Sequence, residues 1–227
     1  MNIEIIPSIL VNSFEEFDEK VRAVEPYVKW VQLDVADGDF APNKTWGDPV
    51  ALHDYDAGVL IEAHLMVQEP EKVIDDWITG RSEERDSGIA RIYFHYEATS
   101  AHKDIIKKIK DSGKEAGIAL LSETPLEVIM PFQNQLDAVL IFSGNLGFYG
   151  GSANWKSNEE KILTKISTMR EYNPDVIIEV DGGMNLENAR KVVEAGANVI
   201  ISGSYIWQHK KGVEEAISEL NKSVGNL

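Results

Sequence analysis

Short apolar runs alternate with helix-like segments from end to end of this chain, a pattern that predicts an α/β fold, a (β/α)8 TIM barrel, as a single domain over residues 1–227. Three observations support this. The runs are apolar at both parities, as strands buried on both faces are in a parallel sheet. The length suits one such barrel. The first run is followed by Pro7-Ser8-Ile9-Leu10, not by the Gly-rich turn that would favour an open doubly wound sheet.

The strand-like runs are Ile3–Ile6, Lys29–Asp34, Gly58–His64, Ala90–His95, Glu115–Leu121, Asp137–Phe142, Val176–Val180 and Asn198–Ser202. Ser13 precedes a helical pattern over Phe14–Val24, with Glu16 three residues on, the spacing of a capping box. Pro70 opens a helix over Glu71–Thr79, and Ala98–Lys110 ends near Gly113. Pro125–Pro131, Ser157–Tyr172, Leu186–Ala195 and Val213–Ser223 follow. Between the second and third strands, Asp48–Asp56 offers only a short helix. The irregular stretches Asp37–Trp46 and Ser143–Trp155 follow strands, which places them on the face where barrel enzymes keep their sites. Gly80–Ser87 follows a helix and reads as a solvated loop on the opposite face.

Charge and composition narrow the functions. The net charge is −16, without the basic face of a nucleic-acid binder, so no nucleic-acid partner is expected. No apolar run approaches the roughly 18 residues of a membrane span, so no membrane partner is expected. The start, MNIEIIPSIL, carries Glu4 and no basic region, unlike a signal peptide. There are no cysteines, which removes disulfides and thiolate metal sites and fits a cytoplasmic enzyme. Any phosphate must be held against the protein's own negative field, which backbone N–H groups at helix starts do without side-chain charge.

The strand ends carry the chemistry. They supply Ser8; Gln32 and Asp34, two apart and so on one side of their strand; His64 and Met66; and Asp181 with Gly182 and Gly183. Taken singly, each Asp reads as a helix or loop cap, and His64 as a structural histidine. Together, Asp34 and Asp181 read as a proton-transferring pair. With His64 they make a donor set for zinc, iron or manganese, to which Gln32 adds a weak amide oxygen. His95 has no evident partner and reads as structural. Glycine-rich turns, Gly147, Gly150 and Gly151, then Gly182 and Gly183, then Gly203 with Ser204, follow successive strands. A phosphate site is built in this way at the last strands of a barrel. Met66, Phe142, Trp46 and Trp155 are candidate pocket walls, although each reads as easily as core or rim.

The runs Pro7-Ser8-Ile9-Leu10, Leu33-Asp34-Val35, Asp37-Gly38, His64-Leu65-Met66-Val67, Thr124-Pro125-Leu126-Glu127, Glu179-Val180-Asp181-Gly182-Gly183 and Gly203-Ser204 together resemble the ribulose-phosphate 3-epimerase family, in order from Ile5 to Trp207. The resemblance implies an isomerase of carbohydrate metabolism, an epimerase interconverting D-ribulose 5-phosphate and D-xylulose 5-phosphate in the pentose phosphate pathway. It also implies a phosphosugar as partner, a homo-oligomer, no organic cofactor, and a divalent metal held by two His and two Asp. Asp34 and Asp181 match the acid and base, and His64 one metal ligand. Ser8, Gln32, His64 and Met66 fall at substrate-contacting positions, and Gly182, Gly183, Gly203 and Ser204 match the phosphate site. The sequence departs from the family at Gln32, where the family has His, so weakened metal binding is expected. It departs also at Ala36, Phe142, Leu121-Ser122-Glu123, and the 145–151 loop, longer by one residue. These changes motivate two alternatives: a 3-epimerase of a hexulose 6-phosphate, and a barrel that binds a phosphosugar without turning it over.

Overall fold

A computed structural model describes residues 3–53, 55–79, 88–144, 146 and 152–225. Eight strands close in sequence order: β1 (Glu4–Ile9), β2 (Trp30–Ala36), β3 (Leu60–Met66), β4 (Gly88–His95), β5 (Glu115–Leu121), β6 (Ala138–Phe142), β7 (Ile177–Asp181) and β8 (Val199–Ser202). Every neighbouring pair is parallel, and β1 meets β8 to complete the barrel. Closure leaves no strand edge unpaired.

The helices are α1 (Phe14–Val24), α2 (Pro49–His53), α3 (Ile74–Ile78), α4 (His102–Asp111), α5 (Ser152–Tyr172), α6 (Leu186–Ala195), α7 (Ser204–Trp207) and α8 (Val213–Val224). Ser13 caps α1 through the N–H of Glu16, but the Glu16 carboxylate reaches one residue further back than a capping box requires, to the N–H of Asn12. The helix expected over Glu71–Thr79 is divided. A 3-10 turn, Pro70–Lys72, follows left-handed Glu69, and α3 starts only after Val73. The segment expected as one helix from Ala98 is likewise a 3-10 turn, Tyr96–Ala98, and then α4, with extended Thr99 accepting the Ala101 N–H in between. Leu126–Phe132 is 3-10 throughout and contains Pro131, which cannot donate to an α-helical ladder. α5 begins at Ser152 instead of Ser157, because Trp155 is buried in the shell between barrel and helices. The Gly80–Ser87 loop lies outside the described residues.

Alternation along each strand divides the core. One parity, including Leu33, Ile61, Phe94, Ile118, Ile141 and Ile178, packs under the helices. The other parity fills the barrel, with Ile6, Tyr93, Ala119, Leu140 and Ile201 in one apolar layer. Gly117 belongs to that layer because a Cβ there would stand 2.2 Å from the Tyr93 ring. Trp46 packs on Phe14 and Phe17 in the outer shell, so it and Trp155 are core and not pocket walls. No helix among the described residues is long and apolar enough to cross a membrane.

Candidate active site

The inward parity of β2, β3 and β7 ends in polar residues at the C-terminal mouth. Asp34 and His64 are register partners on β2 and β3, and Asp181 closes β7. The Asp34 and Asp181 carboxylates converge on the Gln32 amide, whose Nε2 donates at 2.8 Å to Asp34 Oδ1 and at 2.8 Å to Asp181 Oδ2. Among the described residues, the hydrogen bonds of the two carboxylates go to Gln32 and His64 and not to the loops that follow them. His64 Nδ1 lies 2.9 Å from Asp34 Oδ1 and 3.9 Å from Asp181 Oδ2. All four residues are buried. Gln32 Oε1 is buried with no hydrogen-bond partner.

Two carboxylates this close in a dry site disfavour a second negative charge. Burial, and then the charge of Asp34, push the Asp181 carboxyl up from its ordinary 3.8 to about 7, against the opposing pull of His64 and the Gln32 hydrogen bond. The donor atoms of Asp34, His64 and Asp181 lie within 4.8 Å of one another, a spacing at which they could hold a metal ion.

The surrounding shell holds this geometry. Thr45 pins the loop after β2, its Oγ1 donating to the Asp34 carbonyl at 3.0 Å and accepting the Ala36 N–H at 2.8 Å. Asp37 ties the same loop by accepting the N–H groups of Gln68, Asp39 and Phe40. Burial opposes its charge, but those hydrogen bonds hold its carboxyl below the ordinary value. Met66, Phe142, Ala36 and Ala41 form an apolar cluster at the mouth, with Phe40 packed against it. Ser8 is buried beside Gln32 as its register partner, and its carbonyl accepts the Trp207 indole N–H at 2.6 Å.

His95, which reads as structural in the sequence, belongs to the site. Its Nε2 lies 2.9 Å from His64 Nε2, and its Nδ1 3.4 Å from Glu97 Oε2. Burial lowers the His95 imidazole to about 4, even though Glu97 pulls the other way. For Glu97, burial opposes the charge, but the nearby His95 imidazole and the hydrogen bonds from Thr124 and the Leu121 N–H draw the carboxyl down to about 2. Strand parity was the available signal: in Arg91-Ile92-Tyr93-Phe94-His95, residues 91, 93 and 95 share a face.

The loops after β6, β7 and β8 come close to one another. Gly182, at φ +105°, passes so close to the turn after β6 that a Cβ would stand 2.1 Å from the Gly144 nitrogen. Gly183 and Ser204 line a groove of about 500 Å³ that Lys210 and Lys211 also line. Gly203 stands at the N-terminus of α7, which no side chain caps. Gly147, Gly150 and Gly151 lie outside the described residues.

A sequence profile of the ribulose-phosphate 3 epimerase family matches residues 4–207. This chain belongs to the ribulose-phosphate 3-epimerase family. Proteins named ribulose-phosphate 3-epimerase from Schizosaccharomyces pombe and Bacillus subtilis are 36% and 32% identical to it, each over 97% of this chain and over 93% and 99% of their own lengths. The chloroplastic ribulose-5-phosphate-3-epimerase of Arabidopsis thaliana is 37% identical over 98% of this chain and 77% of its own. Among solved structures, the protein named KGPDC from Streptococcus mutans superposes with a TM-score of 0.74 at 12% identity, covering 99% of this chain and 98% of that one. A 3-hexulose-6-phosphate synthase superposes with 0.72 at 18% identity, covering 98% and 100%. At those identities the superpositions speak for the barrel. The epimerase family is carried by the sequence matches.

Proposed function

We propose that this protein is a carbohydrate isomerase that interconverts D-ribulose 5-phosphate and D-xylulose 5-phosphate, with Asp34 and Asp181 as acid and base. The observation that carries the reading is the single amide nitrogen, Gln32 Nε2, within 2.8 Å of a carboxylate oxygen from each aspartate. Two strands on different parts of the barrel thereby aim their carboxyls at one small volume. One aspartate removes the proton from the carbon beside the ketone. The other returns a proton to the opposite face of the enediolate, inverting the centre. A pair that keeps one proton near neutrality, as the raised Asp181 carboxyl implies, supplies the acid and the base together.

Gln32 and His64 are the neutral polar side chains beside the two carboxylates that can meet charge on the enediolate oxygen. Ser8 and Met66 shape the substrate side of the mouth. Gly182, Gly183, Gly203 and Ser204 offer backbone N–H groups to the phosphate, Gly183 and Ser204 from the lining of the groove.

A divalent cation fits the donor chemistry of Asp34, His64 and Asp181, and the orphaned Gln32 Oε1 gives a fourth donor atom if the amide turns over. Bound there, the ion supplies Lewis-acid stabilisation of negative charge on oxygen. In its present orientation the amide presents hydrogens to the same volume, so binding requires that turn and loses two hydrogen bonds. Weak affinity follows.

A coupled assay on ribulose 5-phosphate tests the proposal. Wild-type protein converts it, and Asp181→Asn lowers the rate by about 10²–10⁴-fold. Full activity in that variant sinks the two-carboxylate mechanism. The convergence of the carboxylates counts against the binding-only alternative. The hexulose alternative rests on the lengthened 147–151 loop, which lies outside the described residues, and on Phe142, which packs in the apolar cluster at the mouth.

A further inference from the structure

The seam that closes the barrel runs out just below the mouth. β1 is in register with β8 only as far as Pro7 opposite Ser202, where β8 ends, and with β2 at Ser8 opposite Gln32. Pro7 has no N–H to give to a ladder. Gly203 then leads the chain out of the sheet into α7. Ser8 therefore lies one residue past the last rung of the seam, and it is buried. A buried carbonyl left there without a donor would be costly.

The donor comes from Trp207, the last residue of α7, whose indole Nε1 reaches the Ser8 carbonyl at 2.6 Å. The ring is held from other sides as well. The Lys20 ammonium of α1 stands 3.9 Å from its centroid, and the indole packs against the core shell between barrel and helices. A cation over the ring face adds to the packing that keeps the indole from turning. Three elements, α1, β1 and α7, thus meet at one side chain. Along β1, Ile6 belongs to the inner apolar layer and Ser8 lies two residues on, so the Ser8 side chain shares the inward face with its neighbour Gln32. Fixing the Ser8 carbonyl fixes where that side chain meets the mouth.

We propose that Trp207 is a positioning residue for the reaction: its indole N–H stands in for the missing rung between β1 and β8 and sets Ser8 beside Gln32 on the substrate side of the mouth. The proposal rests on the reading of Ser8 as a residue that meets the substrate. A clamp that served stability alone would act whether or not Ser8 carried its hydroxyl. A positioning residue acts through that hydroxyl, and its effect vanishes when the hydroxyl is gone.

The experiment is a double-mutant cycle in the full-length protein, read by kinetics and by amide NMR. Trp207→Phe keeps an aromatic ring under Lys20 and removes the N–H. For ribulose 5-phosphate, kcat/KM should fall about tenfold in Trp207→Phe, inside the roughly 10²-fold that a 1 Å misplacement costs. Introduced into Ser8→Ala, the same change should cost less than about twofold. Equal losses in the two backgrounds, or no loss in the first, overturn the proposal. Nitrogen–proton spectra read the clamp without turnover: Trp207→Phe should shift the Ser8 amide and the Gln32 side-chain amide and leave the amide of Leu140, in the inner apolar layer, in place. Unmoved Ser8 and Gln32 signals also overturn it. If Trp207→Phe does not fold, the wild-type indole decides. Strongly slowed exchange of the Trp207 N–H with D2O supports the clamp, and exchange at the rate of free tryptophan refutes it. Wild-type protein that leaves ribulose 5-phosphate unconverted would remove the proposed reaction, while the spectra would still show whether Trp207 places Ser8, so the two failures can be told apart.

Discussion

Two carboxylate pairs lie inside this barrel, one above the other, and they are satisfied in opposite ways. The upper pair is Asp34 and Asp181. The lower is Glu62 and Glu179, each two residues from a mouth residue on the same strand, His64 and Asp181. Below, Arg91 reaches Glu62 at 2.9 Å, Glu179 more tightly still, and Glu115 at 2.7 Å, while its guanidinium covers Trp30. Above, the shared contacts are a neutral amide and an imidazole. The lower pair therefore carries its own permanent cation. Burial and the neighbouring Glu179 push Glu62 well above the carboxylate range, so one proton completes that balance. The upper pair has no fixed positive partner, and its charge must be met by something that comes and goes.

The largest effect expected from this contrast comes from removing the lower cation. Arg91→Met leaves two buried glutamates with no counter-charge, and a buried pair broken from one side costs about 3–5 kcal/mol. Urea denaturation reads that loss directly. A cost under about 1 kcal/mol would mean that the lower cluster is no more closed than the upper one.

Next comes the pH dependence of the upper pair. The Asp181 carboxyl titrates near 7 in the fold and near 3.8 when unfolded, so the folded state holds more protons between those values. Stability from this group is complete below pH 3.8 and is lost as pH rises to about 7. Asp181→Asn lacks the titration. In the presence of chelator, the variant should gain stability relative to wild type as pH climbs through that window. Parallel curves for the two proteins from pH 4 to 7 would show that the mouth does not hold this proton.

The barrel itself was legible because buried parallel strands have a distinctive composition, and strand ends such as Leu33-Asp34 and Val180-Asp181 stand out against it. Asp34, His64 and Asp181 could be placed together from parity alone. Parity put His95 on the inward face of β4 but not within reach of His64, because the pairing of β3 with β4 shifts by one residue between Ile61 and Glu62. Arg91 was hidden for a similar reason: a charged residue in a strand reads as exposed until the barrel closes around it. Helix boundaries failed where tertiary contacts overrode local pattern, as with Trp155 drawing α5 back to Ser152.

The smallest change sharpens the contrast most. Gln32→His exchanges the amide that bridges the two carboxylates for an imidazole, the residue that the family resemblance implies at this position. The amide's two hydrogens hold the upper pair together without an ion, so they compete with any cation for the same lone pairs. An imidazole nitrogen directed at that volume adds a neutral donor and removes the competitor. Zn²⁺ or Mn²⁺ titrated into chelator-treated protein should bind the variant about 10–100-fold more tightly, taking the effect of ligand-supporting groups as a lower guide. Thermal stability without metal should fall slightly, because the bridge is gone, and rise above wild type once the ion is added, since a ligand bound only to the folded state stabilises it by mass action. Equal affinities in the two proteins would show that the amide is a spectator. The upper pair would then owe its openness to Asp34, His64 and Asp181 alone.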